Sequence, residues 1–181
     1  MSALDDIRAD FERRAKRSLS MPIAGAAVWA AIGVLGFFLP QQIAIYVLLV
    51  GTGAIFPLAM VIATIRGEQL LSNTNPLAQL LGACVFMVNL LWALHIPLVM
   101  HAPVFVPLSV GIGLGLHWVV YSWIVRHPVG YVHAVGRTVL LLVAWWMFQG
   151  YVVSACALAV VLAYIYAIYA MATRPIHCDR A

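Results

Sequence analysis

Residues 126–146 read RHPVGYVHAVGRTVLLLVAWW. From Thr138 onward the stretch is nearly all hydrocarbon, yet Arg137 stands ten residues after His127, beyond the Pro128 break. Whether Arg137 lies inside a membrane helix or ahead of one decides the number of spans. A transmembrane helix needs about 20 apolar residues. Residues 138–172 offer only 35 positions, too few for two perpendicular spans and a turn. The span must therefore begin near Val129, with Arg137 within it.

The rest of the chain has the same character. Its 181 residues are 65% hydrophobic and only 9% charged, and the mean hydropathy is +1.01. A soluble domain carries charge on about a quarter of its residues, so the surface of this one must face lipid. The apolar runs are continuous and do not alternate at period two, which excludes a barrel and leaves helices. Six spans follow, roughly Met21–Leu39, Gln42–Ile65, Leu77–Met100, Val104–Val125, Val129–Phe148 and Tyr151–Ala172. Pro40, Pro76, Pro103, Pro128 and Gly150 mark the breaks between them.

Basic residues set the expected orientation. Arg8, Arg13, Arg14, Lys16 and Arg17 precede the first span, Arg66 follows the second, Arg126 the fourth, and Arg174 and Arg180 the sixth. The connections near residues 40, 102 and 150 carry no charge. Lys and Arg collect in short cytoplasmic loops, which places both termini in the cytoplasm. The net charge of +4 is thus a topology signal, and no nucleic-acid motif accompanies it. The first span has too long an apolar run for a cleaved signal peptide, and GFFLPQQ (36–42) lacks a small-x-small site. Cys84 and Cys156 fall in spans and Cys178 in the C-terminal tail, so no disulfide framework is expected.

The expected fold is an all-α polytopic bundle of six transmembrane helices as three hairpins, preceded by a short amphipathic helix. Residues 1–20 form that cytoplasmic helix, 21–173 the transmembrane domain and 174–181 a cytoplasmic tail. Leu4, Ile7, Phe11, Ala15 and Leu19 make one apolar stripe at helical spacing, with Ser2 and Asp5 as a capping-box variant at its start. The stripe predicts a helix lying on the inner leaflet, attracted by anionic lipid.

VGTGAIFPLAMVIATIR (50–66) and VGIGLGLHWVVYSWIVR (110–126) align without gaps at an offset of 60, both opening Val-Gly-x-Gly and closing in Arg. Gly111 and Gly115 form GxxxG, a spacing that lets helix backbones approach. It serves packing within the chain or, alternatively, a homo-oligomer face.

All six acidic residues (Asp5, Asp6, Asp10, Glu12, Glu68 and Asp179) lie outside the spans. Carboxylate-held Mg²⁺ and carboxylate proton relays therefore cannot be built inside them. No G-x-S-x-G, H-E-x-x-H or P-loop pattern occurs. The polar residues within spans include Asn89, His95, His117, Tyr121, His133 and Arg137. With His127 as pivot, His117 and Arg137 are each ten residues away, and Tyr121 and His133 each six. At 1.5 Å per residue the first pair sits about 15 Å from the turn. His117 and Tyr121 share one helix face, as do His133 and Arg137. Asn89 falls within a turn of the same depth. These five residues, Arg137, His117, His133, Tyr121 and Asn89, form the candidate ligand-binding set. The set has a fixed positive charge and no counter-carboxylate, which suits a lipid phosphate or small carboxylate. The competing expectation is that Arg137 snorkels to the headgroups.

Paired histidines, His117/His133 or His95/His101, invite a bis-His haem, and IHCD (176–179) a metal. Intramembrane histidines are more often hydrogen-bonded structural groups, and neither a cofactor nor a metal is expected.

LVGTGAIFPLAM (49–60), NTNPLAQL (73–80) and the Gly-rich run ending GLHWVVYSWIVRHP (115–128) resemble a family of small bacterial multi-pass proteins of unknown function. The likeness covers roughly residues 25–170 and rests on Pro57-Leu58, Asn75-Pro76-Leu77 and the run to Tyr121. It implies a bacterial inner-membrane location and a basic residue near position 117, where this chain has histidine. It implies no activity. The functional expectation is a non-enzymatic protein that binds or passes a small anionic or amphiphilic molecule through a cytoplasm-facing pocket. The alternative is a structural or accessory subunit packed on a partner protein. An enzyme ranks below both, since His and Tyr support acid–base chemistry but no nucleophile–base pair is evident.

Overall fold

The computed structural model describes residues 2–15, 18–68 and 74–175. The described residues are helical, without strands. The helices are α1 (Ala3–Ala15), α2 (Ser20–Phe38), α3 (Gln41–Thr52), α4 (Ile55–Arg66), α5 (Pro76–Leu90), α6 (Trp92–His101), α7 (Val106–Gly113), α8 (His117–Val125), α9 (Val129–Met147) and α10 (Val152–Thr173). Short 3₁₀ turns at Pro103–Phe105 and Gln149–Tyr151 lead into α7 and α10.

Five continuous stretches are long and apolar enough to cross a membrane: Ser20–Phe38, Pro76–His101, Pro103–Val125, Val129–Met147 and Gln149–Thr173. The pair α3 and α4, bent by 45°, makes a sixth if counted as one span. The ends read from the apolar runs fall within two residues of these. Such helices, with Phe38, Val50, Ile65 and Trp146 mostly exposed, are those of a membrane protein. Water would penalise that surface by about 25 cal/mol per Å².

Helix α10 is the most buried span. It packs between α2 and α9. Small residues allow the α2 approach: a Cβ on Gly33 would stand 3.1 Å from that of Ala157. The closest crossing joins α8 and α9, where a Cβ on Gly130 would fall 1.9 Å from the carbonyl oxygen of Trp118. The turn between them is held by Ser122. Its Oγ donates to the His127 carbonyl at 2.6 Å and accepts from the Gly130 and Tyr131 amides at 2.8 and 3.0 Å. Arg126 closes α8 in the left-handed region, at φ 50°.

Gly111 and Gly115 both face α9 of the same chain. Added Cβ atoms there would stand 2.7 Å from Leu141 and 3.2 Å from Arg137. Of the two readings of this GxxxG, the contacts are those of packing within the chain.

Helix α1 departs from the expected picture in what its apolar face covers. Ser2 and Asp5 do cap it, with Ser2 Oγ donating to Asp5 Oδ2 at 2.8 Å and the Asp5 amide donating back at 3.3 Å. Its apolar stripe, however, packs on protein. Leu4, Ile7, Phe11 and Ala15 cover Leu77 of α5 and Ile124 and Val125 of α8. Of the basic residues expected to attract lipid, Arg8 tethers the helix, while Arg13 and Arg14 pair with Asp10 on α1 itself. Arg8 donates to the Trp123 carbonyl at 3.2 Å and lies 4.4 Å above its ring. Asp5 pairs with Arg126 at 2.5 Å. Asn75 donates to the Ile7 carbonyl and to Asp10, both at 2.8 Å. Glu12 forms a buried ion pair with Arg174 just past α10. Hydrogen bonds from Ser2 hold the Asp5 carboxyl below its ordinary value, as those from Asn75 and Arg14 do for Asp10.

Glu68 makes a second knot at this end. It accepts from Ser18 Oγ at 2.6 Å, Ser20 Oγ at 2.5 Å and Arg66 at 2.6 Å. Burial alone would raise its pKa, but these bonds outweigh it and bring the carboxyl down to about 2. The tail motif IHCD lies outside the described residues.

Candidate functional site

Arg137 lies in the middle of α9 and is completely buried. It does not snorkel. None of its three guanidinium nitrogens meets hydrogen-bond geometry with a neighbour, although the Tyr164 side chain lies close enough to interact with the charge. What surrounds it is aromatic: the guanidinium carbon is 5.5 Å from the Trp29 ring centroid on α2 and 5.4 Å from that of Tyr164 on α10. Ring faces attract a cation, with more effect where water is excluded. Gly115, on the turn between α7 and α8, leaves room for the arginine stem.

Two histidines share this environment. His133 is buried one turn earlier on α9; its Nδ1 is 3.0 Å from the Ala163 carbonyl and its Nε2 has no partner. His117 opens α8, and its buried Nδ1 is unpartnered as well. Both imidazoles lie within range of the Arg137 charge. Trp118 and Tyr164 lie 4.2 and 5.2 Å from His133 and 6.2 Å from each other, between ring centroids, so the three rings form one cluster. The matched spacing about His127 therefore brings Arg137, His117 and His133 together across the α8–α9 hairpin.

Tyr121 and Asn89 do not join them. Tyr121 lies toward the end where α1 docks, near Arg174 and Glu12. Its ring still touches Trp118, at 5.7 Å between centroids. Asn89 is exposed on α5, its Nδ2 donating to the Val85 carbonyl at 2.9 Å. Equal depth did not bring it to the site, because α5 packs on α8 and α1 rather than on α9.

Residue spacing did not single out Trp29, Tyr164 and Trp118, the aromatic wall. Aromatic residues occur throughout these spans, and choosing these three requires knowing that α2 and α10 flank α9. The general preference of guanidinium for ring faces was the available signal.

No cluster of three or more His, Cys, Asp or Glu suited to a metal occurs among the described residues. Chemically, the arrangement offers up to five guanidinium N–H donors and two imidazoles, with no carboxylate in any span to neutralise the charge.

No curated protein and no solved structure matches the chain. Its sequence does match one family of unknown function, DUF7010, over residues 4–174. The chain, from the first turn of α1 to the end of α10, is a member of that family.

Proposed function

We propose that this chain is a six-span inner-membrane protein, with both termini cytoplasmic, that binds a small anionic or amphiphilic molecule at Arg137. The observation that carries this is the fully buried guanidinium, none of whose three nitrogens meets hydrogen-bond geometry. A partnerless charge in hydrocarbon costs several kcal/mol. The rings of Trp29 and Tyr164 offset part of that, and the Tyr164 hydroxyl can take at most part of the fork, leaving N–H donors unmet. An oxyanion would take the planar fork in a bidentate fashion, with His117 and His133 beside it. The guanidinium is enclosed on all sides, so a ligand reaches it when the surrounding helices part. Three hairpins in tandem, with the charged connections on one side, support the topology.

The test is native mass spectrometry of detergent-purified protein, offered inorganic phosphate or a short-chain phosphatidic acid. The wild type retains one of the two, which distinguishes a free anion from a lipid headgroup. Arg137→Leu retains neither, and Arg137→Lys retains it partially. Equal retention by Arg137→Leu would overturn the proposal.

One observation favours the alternative of an accessory subunit: Pro76–His101 is the least buried continuous span. Photo-crosslinking from Met87 and Leu90, both exposed, captures a protein neighbour under that alternative and lipid otherwise.

A further inference from the structure

Away from Arg137, three spans are interrupted at one level. The α3–α4 break falls at Gly53 and Ala54, the α5–α6 break at Leu91, and the α7–α8 break at Leu114 to Leu116. Each is near the middle of its span. The first and third are the paired Val-Gly-x-Gly segments 60 residues apart, so the internal likeness in sequence is expressed as two matching interruptions. All three converge on one cleft of about 50 Å³, lined by Thr52, Gly53, Asn89, Trp92, His95 and neighbouring apolar side chains. That is room for a few waters or a very small solute.

Acceptors outnumber donors among the polar groups of this cleft, whose side-chain donors are the Trp92 indole N–H and one N–H of Asn89. Thr52 Oγ1 gives its proton to the Leu49 carbonyl at 2.9 Å and keeps its lone pairs. The Gly53 carbonyl would ordinarily take the amide four residues on, but that residue is Pro57, which has none. Asn89 gives one Nδ2–H to the Val85 carbonyl, leaving Oδ1 and a second N–H. His95 is buried, with Nδ1 3.0 Å from Ser109 Oγ. Its Nε2 points toward Gly113, 3.9 Å from where a Cβ would stand. When Nδ1–H donates to Ser109, Nε2 presents a lone pair. The Trp92 indole supplies an aromatic face, and no side chain of fixed charge lines the cleft.

We infer that this cleft is a binding site for a small ammonium group, the ammonium ion or a head the size of methylammonium. Several convergent acceptors replace the hydration of such a cation, as carbonyl oxygens do for ions in a filter. The indole face adds cation–π attraction. An anion finds only the Trp92 and Asn89 N–H groups and no fixed positive charge, and an apolar molecule would leave the acceptors unpaired. The site is independent of the anion proposed at Arg137, although Gly113 and Gly115 place the two on either side of one interruption.

The experiment is thermal unfolding of the purified, detergent-solubilised protein in rising methylammonium chloride, against sodium chloride at equal ionic strength. Saturable stabilisation by methylammonium alone is expected, because a ligand bound only to the native state raises the midpoint. Asn89→Leu, at an exposed position, and Thr52→Val each weaken the apparent affinity about tenfold, the effect of one hydrogen bond to a charged group. Ser109→Ala, which frees the His95 tautomer, weakens it as well. Arg137→Leu keeps the methylammonium response while losing the anion, so failure of one proposal is separable from failure of the other. No saturable difference from sodium in the wild type, or an unchanged response in both Asn89→Leu and Thr52→Val, would overturn the inference.

Discussion

Gly130 rests directly on the main chain of Trp118: a single added carbon would stand 1.9 Å from the Trp118 carbonyl oxygen. The obstruction is backbone, so no rotamer change relieves it. The hairpin that carries His117, His133 and Arg137 therefore depends on this one missing side chain.

Gly130→Ala should destabilise the protein by about 4 kcal/mol or more, at the severe end for a point substitution. Gly136→Ala, on the same helix with nothing within 4 Å of the added Cβ, is the control. Alanine favours helix there by up to about 1 kcal/mol. Comparable unfolding midpoints in detergent for the two variants would refute the packing shown at Gly130.

Arg137→Leu should leave the fold intact and raise the unfolding midpoint. It removes a buried charge that has aromatic contacts but no neighbour in hydrogen-bond geometry, at a cost of at least a few kcal/mol in the wild type. A lower midpoint would mean that the two rings hold the guanidinium more strongly than any oxyanion needs to.

Breaking the Glu12–Arg174 pair should be costly. Glu12→Gln leaves Arg174 charged and buried, which destabilises by about 3 kcal/mol. Glu12→Leu with Arg174→Met together should recover most of that loss. Limited proteolysis reads the same event: Glu12→Gln exposes α1 to cleavage while the spans stay intact. Unchanged protection would mean that Phe11 and its apolar neighbours hold the helix without the pair.

The Glu68 carboxyl gives a pH signature. Its pKa is about 2 in the folded protein and 4.5 when unperturbed. The depressed folded value means that the stabilisation is complete above pH 4.5 and fades as the pH falls through 4.5 toward 2. Glu68→Gln, with the wild type measured alongside, should flatten that part of the profile and lower stability at pH 7 by about 2 kcal/mol. Parallel profiles for the two proteins would assign the acid sensitivity to other carboxylates.

Topology is open to direct labelling. Single cysteines at Gln42, Ala102 and Gln149 should react with an impermeant thiol reagent added outside intact cells, and a cysteine at His127 should not. External reaction at His127 would overturn the proposed orientation.

Much of this architecture was legible because a bilayer imposes length and polarity on each span. The hydrophobic runs locate helix ends to within two residues, and the Arg137–His117 depth match follows from counting out from a proline turn. What sequence did not disclose is which helix lies beside which. Asn89 has the right depth and the wrong neighbour. Tyr121 has the right helix, yet it lies toward Arg174 and Glu12. Trp29 and Tyr164 meet Arg137 only because α2 and α10 flank α9, a choice among apolar surfaces that look alike to lipid. The stripe on α1 was read correctly as a stripe. Leu77, Ile124 and Val125 offered it a protein surface where lipid was expected.

The Glu12–Arg174 contact joins positions 162 residues apart, which sets an order of events during synthesis. At typical elongation rates of 5–20 residues per second, α1 emerges on the order of ten seconds before its partner arginine exists. Throughout that interval Phe11 and Glu12 lack part of their final surroundings. The clasp can close only once α10 has been inserted and Arg174 has been translated. Its closure reports that the last helix has been delivered, so a truncated or wrongly threaded chain would keep a loose, protease-sensitive N-terminus that quality-control machinery can recognise.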